Sequence, residues 1–189
     1  MLKELVCFSV IGLSFTSLAH AENNNTLSLG YAQSNNAKFK NNKISGNAYG
    51  QLKGKPDGIN LKYRYEIDEK FGVITSLTKL TSQTDFLRNN KIEARGSFEY
   101  TALQVGPSYR FNEYVSAYAM AGVAHYKLTG ENYTDGYVDS AKARKNAVAY
   151  SEGLQFNPIE KIAIDTSYEQ SKSGDFKSGV WAVSVGYKF

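Results

Sequence analysis

The chain has 189 residues, 42% hydrophobic and 21% charged, with 22 basic against 18 acidic side chains and a formal net charge of +4. A surplus that small gives no footing for nucleic-acid binding. The length suits one domain, and the single cysteine, Cys7, rules out a disulfide framework and a zinc–thiolate centre.

Residues 1–21 read as a secretory signal peptide: Lys3 opens it, an apolar stretch over 5–18 follows, and Ala19-His20-Ala21 forms an A-x-A cleavage site. The stretch is too short, and too rich in Ser and Thr, for a membrane helix of about 20 apolar residues. Cleavage removes Cys7 together with one base and one acid, Lys3 and Glu4, so the net charge is unchanged. No later run is apolar enough for a spanning helix, and a membrane location would have to be reached with strands.

Period-2 alternation predicts eight strands, at about 26–33, 58–67, 71–82, 97–111, 114–128, 146–157, 160–170 and 177–189. In the second, Ile59, Leu61, Tyr63, Tyr65 and Ile67 share one face, and Asn60, Lys62, Arg64 and Glu66 the other. Residues 22–189 are therefore expected to form an all-β, eight-stranded antiparallel up-and-down barrel. Tight turns are expected at 68–70, 112–113 and 157–158, and four long surface loops at about 34–57, 83–96, 129–145 and 171–176.

Alternation alone does not say which face is inside, because a soluble barrel would bury its apolar side. Volume favours the opposite orientation. An eight-stranded barrel has an interior just wide enough for side chains, and Gly30, Gly72, Gly106, Gly122, Gly153 and Gly186 fall on the polar face, whereas the apolar face carries the bulky Tyr, Ile, Leu and Trp. Tyr65, Tyr109, Tyr168 and Tyr187 near strand ends suit the aromatic girdles of a transmembrane barrel. Lys62, Arg64, Glu66, Arg110, Asp165, Glu169 and Lys188 then point inwards, where they must form a mutually paired polar network. Two residues break the pattern. Pro107 removes a ladder donor and predicts a local bulge, and Glu152 falls on the lipid-facing lattice set by Leu154 and Phe156. A register shift near Ser151, protonation or an intermolecular contact would each accommodate that glutamate.

The four long connections with their flanks are basic, and the first alone carries Lys38, Lys40, Lys43, Lys53 and Lys55 against Asp57. Clustered cations attract sulfate or phosphate over a range that salt screens. Aromatic residues interleave them, Phe39, Tyr49, Phe86, Phe98, Tyr133 and Tyr137, of which Tyr49 and Phe98, nearest the strands, suit the interfacial girdle at least as well as a ligand. The candidate ligand-binding residues are Lys38, Phe39, Lys40, Lys43, Tyr49, Phe86, Arg88, Lys91, Arg95, Tyr133 and Tyr137. Sulfated glycans or host extracellular-matrix proteins fit such a rim, and so do the phosphates of neighbouring lipopolysaccharide. His125, the histidine outside the signal, has no Ser or carboxylate at a motif spacing, so no catalytic residue is expected, and no metal or cofactor motif is present.

The segments GINLKYRYE (58–66), FGVI (71–74), VGPSYR (105–110), GLQFNPIE (153–160), DTSYEQS (165–171) and GYKF (186–189) resemble the Ail/Lom/OmpX family of outer-membrane proteins. The resemblance implies an eight-stranded outer-membrane barrel with loops on the cell surface. It also implies an adhesin, an invasion factor or a serum-resistance factor binding complement regulators, although other members have no settled activity; the alternative reading is a structural envelope protein whose loops contact lipopolysaccharide.

Overall fold

The computed structural model describes residues 24–35, 38–39, 55–88, 91–134, 137–173 and 176–189, with backbone alone for 38–39, 84–88, 91–93, 132–134, 137–139, 173 and 176–177. The expected signal peptide, residues 1–21, and most of the first long connection lie outside the described residues.

Eight strands follow one another in an antiparallel meander: β1 (Asn25–Ser34), β2 (Asp57–Glu66), β3 (Phe71–Arg88), β4 (Lys91–Arg110), β5 (Val115–Thr134), β6 (Tyr137–Ile159), β7 (Ile162–Ser173) and β8 (Phe176–Lys188). Strand β8 pairs back onto β1, from Lys188 opposite Thr26 to Val180 opposite Ser34, and so closes a barrel. Lys38 and Phe39 resume that pairing opposite Lys177 and Phe176. Closure leaves no unpaired edge, which hydrocarbon requires because no water is there to satisfy backbone groups.

The stagger follows from the register. Partners traced once around the wall from Leu27, through Tyr63, Thr75, Val105, Ala121, Tyr150, Gln170 and Gly179, return to β1 at Asn35, eight residues further up. Eight strands with a stagger of eight imply a tilt of about 36° and an interior that side chains fill.

The faces divide as the volume argument requires. On β2, Asn60, Lys62, Arg64 and Glu66 are buried, whereas Ile59, Leu61 and Tyr65 are exposed on the outer wall. Strand β8 likewise turns Trp181, Val183, Val185 and Tyr187 outwards and buries Val180, Ala182 and Ser184.

The interior has three tiers. In the lower one Glu66 pairs with Arg110, receives Lys188 Nζ at 2.9 Å and lies 3.8 Å from Arg64 Nε. Above it Lys62 pairs with Asp165 and donates to Ser167 Oγ at 2.9 Å, while the Tyr118 hydroxyl donates to Asp165 at 2.9 Å. Glu169 accepts from Thr78 at 3.0 Å and from Tyr100. The upper tier is apolar, with the tilted rings of Phe98, Tyr100 and Tyr126 packed among Leu80, Val180 and a ring of alanines. Phe98 thus points into the barrel rather than towards a ligand or the lipid boundary. In the level below, Gly153 makes room for Tyr118, since a Cβ there would stand 2.3 Å from the ring that reaches Asp165.

Three local features differ from the sequence expectation. Strands β3 to β6 continue well past the lipid-facing band. The ranges 83–96 and 129–145 are mostly paired ladder, reaching Arg88 opposite Lys91 and Thr134 opposite Tyr137, and 171–173 pairs with 176–178. Second, the turn between β6 and β7 is at Glu160 and Lys161, whereas Asn157 and Pro158 form a bulge. Asn157 is buried there, its N–H bonded to the Tyr114 carbonyl at 2.8 Å and its side chain donating to the Ile162 carbonyl at 3.2 Å. Third, Pro107 causes no bulge. The β4–β5 ladder loses its rungs between Val105–Ala121 and Ser108–Tyr118 but resumes in the same register, because a missing donor breaks a bond without adding a residue.

The two tight turns at 67–70 and 111–114 are built alike. Asp68 Oδ1 accepts from the backbone N–H of Phe71 at 2.7 Å and of Lys70 at 2.8 Å, and Asn112 Oδ1 accepts from Tyr114 and Val115, both at 2.9 Å. The N–H donors of Phe71 and Lys70 hold the Asp68 carboxyl below the usual carboxylate range. Its contribution is therefore present above the ordinary Asp value and lost as pH falls through the depressed one. In an NMR titration the amide protons of Lys70 and Phe71 should shift on acidification, while those of Tyr114 and Val115, held by a non-titrating amide, stay flat. Equal shifts in both turns would contradict this.

The interior pair makes a second prediction. Replacing Asp165 by Ala strands a buried lysine and should cost about 3–5 kcal/mol, whereas the double change Lys62→Met with Asp165→Leu should recover most of that loss. Urea unfolding in lipid vesicles checks it, and a single substitution costing under about 1 kcal/mol would show that the pair carries no such load.

Candidate functional site

The extended hairpins raise a set of cations above the lipid-facing band. Once both faces of a strand meet water, no alternation of polarity is needed, and residues 140–146 are all exposed. The β5–β6 register sets Lys127 opposite Arg144, Thr129 opposite Lys142, and Tyr126 opposite Lys145. Lys142 and Arg144, two residues apart, share the outer face. Lys127 Nζ lies 3.0 Å from Glu99 Oε1, but both side chains are substantially exposed, so this pair contributes little to stability. Arg144 offers a planar fork suited to bidentate contact with sulfate or phosphate, and the lysines beside it act as point charges.

Lys142, Arg144 and Lys145 were not among the residues singled out from the sequence. Their signal was the run Lys-Ala-Arg-Lys over 142–145, which becomes informative only when extended ladder, rather than irregular loop, fixes which members share a face.

Of the expected ligand-binding residues, Lys38 and Phe39 lie on the short ladder opposite Lys177 and Phe176. Phe86 pairs with Ala94, Arg88 with Lys91, Tyr133 with Val138 and Tyr137 with Thr134. The side chains of these residues and of Lys91 lie outside the described residues, as do Lys40, Lys43 and Tyr49 entirely. Arg95 is half-buried, stands across the ladder from Asp85 on one side and Glu131 on the other, and is not a free cation. The seven charged residues expected in the interior, Lys62, Arg64, Glu66, Arg110, Asp165, Glu169 and Lys188, are placed inside the barrel wall, where they line its lower and middle levels.

A second ring of polar groups lies lower, beside the upper edge of the apolar band. Exposed Lys79 stands directly opposite Ile59 on one side and Thr101 on the other, and exposed Lys172 pairs across the ladder with Val148. His125 is in the same zone, its Nδ1 2.7 Å from Asn146 Oδ1 on the exposed surface. Its partner is an amide, which neither activates a nucleophile nor orients a base as a carboxylate would. Among the described residues no three His, Cys, Asp or Glu side chains are grouped to hold a metal ion.

The sequence matches the family described as Enterobacterial Ail/Lom protein over residues 1–189. It is 38% identical to the Attachment invasion locus protein of Yersinia enterocolitica, with all of both chains covered. It is 34% identical to Outer membrane protein X of Escherichia coli strain K12, again over the whole of both chains. The fold superposes with a TM-score of 0.73, at 36% identity, on the crystal structure of Ail, the attachment invasion locus protein of Yersinia pestis, in complex with the heparin analogue sucrose octasulfate; the match covers 87% of this chain and 97% of that one.

Proposed function

The chain belongs to the enterobacterial Ail/Lom family and is an outer-membrane barrel with its long hairpins at the cell surface, and from that premise we propose that it is an adhesin whose basic rim binds sulfated glycans. One observation carries the reading: ladder pairing holds Lys142 and Arg144 on one face beside Lys127, beyond the apolar band, where they meet the medium rather than lipid. The sulfated ligand held by the related Yersinia pestis protein supports the choice of anion. Host matrix proteins that carry sulfated chains come within the same reading, and complement regulators are a further class of partner for the rim. No covalent bond is made or broken in this function.

A specific observation favours a second role for the lower ring. Lys79, Lys172 and His125 border the apolar wall, at the level where lipopolysaccharide phosphates lie beside a barrel. The envelope contact thus belongs to the lower ring and the host contact to the upper one.

Cells lacking other adhesins and displaying this protein should attach to heparin-coated surfaces, less so as salt rises. Changing Lys127, Lys142 and Arg144 together to Glu should lower attachment at least about tenfold, since each exposed charge contact is worth up to about 1 kcal/mol. Changing Lys79 and Lys172 to Glu should leave attachment intact and raise detergent sensitivity. Attachment unaffected by the triple change would overturn the glycan reading.

A further inference from the structure

Glu152 sits where a carboxyl group has least reason to be. It is exposed on the outer face of β6 between Tyr150 and Leu154, which are themselves turned outwards with Val148 and Phe156 beyond them. Four residues separate it from Val148 and four from Phe156, about 13 Å along the strand either way. With a stagger of one residue per strand, it stands level with Leu61, Val105 and Val183, in the middle of the apolar band. The ladders on both sides of β6 run through this point in unbroken register, Ala119 opposite Glu152 on β5 and Tyr168 opposite it on β7. A register shift therefore does not turn the side chain inwards. Among the described residues Glu152 makes no hydrogen bond or ion pair, and Tyr168 packs against Trp181, the ring centroids 4.6 Å apart and the planes tilted by 40°.

The wall beside it is unusually flat. Ala117, Ala119 and Ala121 occupy successive outward positions of β5 opposite Leu154, Glu152 and Tyr150. Ala119 also borders the stretch where Pro107 leaves the β4–β5 ladder without rungs. Elsewhere at this height the outer face carries Leu29, Leu61, Leu77, Val105 and Val183, interrupted by Thr75 and Thr166.

We propose that this β5–β6 face is a contact between two copies of the chain within the membrane, with Glu152 of each copy bonded to Glu152 of the other. All copies enter the membrane with the same end up, so the two-fold axis of a symmetric pair lies along the membrane normal and brings together residues of equal height. A glutamate on that face therefore meets its own image. A protonated carboxyl group carries one O–H donor and one carbonyl acceptor, so two of them facing each other satisfy both in a medium that offers no other partner. The row of alanines lets the two walls approach closely enough for the groups to meet, as small residues do between membrane helices.

Cysteine crosslinking in intact outer membranes tests this, in a Cys7→Ser background so that each variant carries one thiol. Ala119→Cys, beside the proposed axis, should form disulfide-linked dimers at least tenfold more than Leu29→Cys, which lies at the same height on the opposite wall. Adding Glu152→Leu to Ala119→Cys should reduce crosslinking to the Leu29→Cys level, whereas Glu152→Gln, whose amide is also self-complementary, should preserve it. Both changes lie on the lipid face, and heat-dependent gel mobility verifies that the barrel has folded. Equal crosslinking at positions 119 and 29, indifference to Glu152→Leu, or a product with the mass of a different protein would each overturn the proposal.

Discussion

The rest of this structure depends on the demand that hydrocarbon leave no backbone polar group unpaired. Eight strands meet it by closing β8 onto β1, and the terminal rung is completed by reciprocal bonds between Asn25 and Phe189 at 3.0 and 2.8 Å. Closure at this strand number and stagger fixes a narrow interior. Small residues, paired charges and a few well-placed phenols are what such a space accepts. Gly153 beneath the Tyr118 ring shows the tightness, and Glu66 among Arg64, Arg110 and Lys188 shows how charge is tolerated.

Where both faces of a strand meet different media, the sequence records it. Lys62, Arg64 and Glu66 alternate with Leu61 and Tyr65 because lumen and lipid make opposite demands, and that contrast gave the strands and the orientation of their faces. Beyond the lipid both faces meet water, the contrast vanishes, and β5 and β6 continue through residues with no polarity pattern. Phe98 was misplaced for a related reason: the upper interior is apolar, so an inward aromatic there looks like an outward one. At Asn157 and Pro158 the residue types of a turn serve a bulge, because the buried Asn157 side chain and N–H find partners across the wall. The ligand-binding candidates were the least legible, since an irregular loop gives no rule for which side chains share a face.

Function on this scaffold is a matter of height. The apolar band holds the lipid, the lower cations suit lipid phosphates, and the extended hairpins carry Lys142 and Arg144 beyond them. A ladder-held cation array needs less ordering on binding than a loop would, which favours affinity for an extended polyanion. Glu152 departs from the scheme on the lipid side, and the two-copy contact gives its carboxyl group a partner, as barrel closure does for the strand backbones.

The outward orientation of the apolar face is the claim on which the remainder stands, and lipid-chain paramagnetic broadening tests it directly. With nitroxide-labelled acyl chains in a bilayer nanodisc, the methyl signals of Leu61, Leu103 and Val183, exposed on the outer wall, should broaden strongly, while those of Ile74, Leu80 and Val180, at 1% exposure inside, should stay sharp. Broadening of the second set with the first set spared would contradict the account.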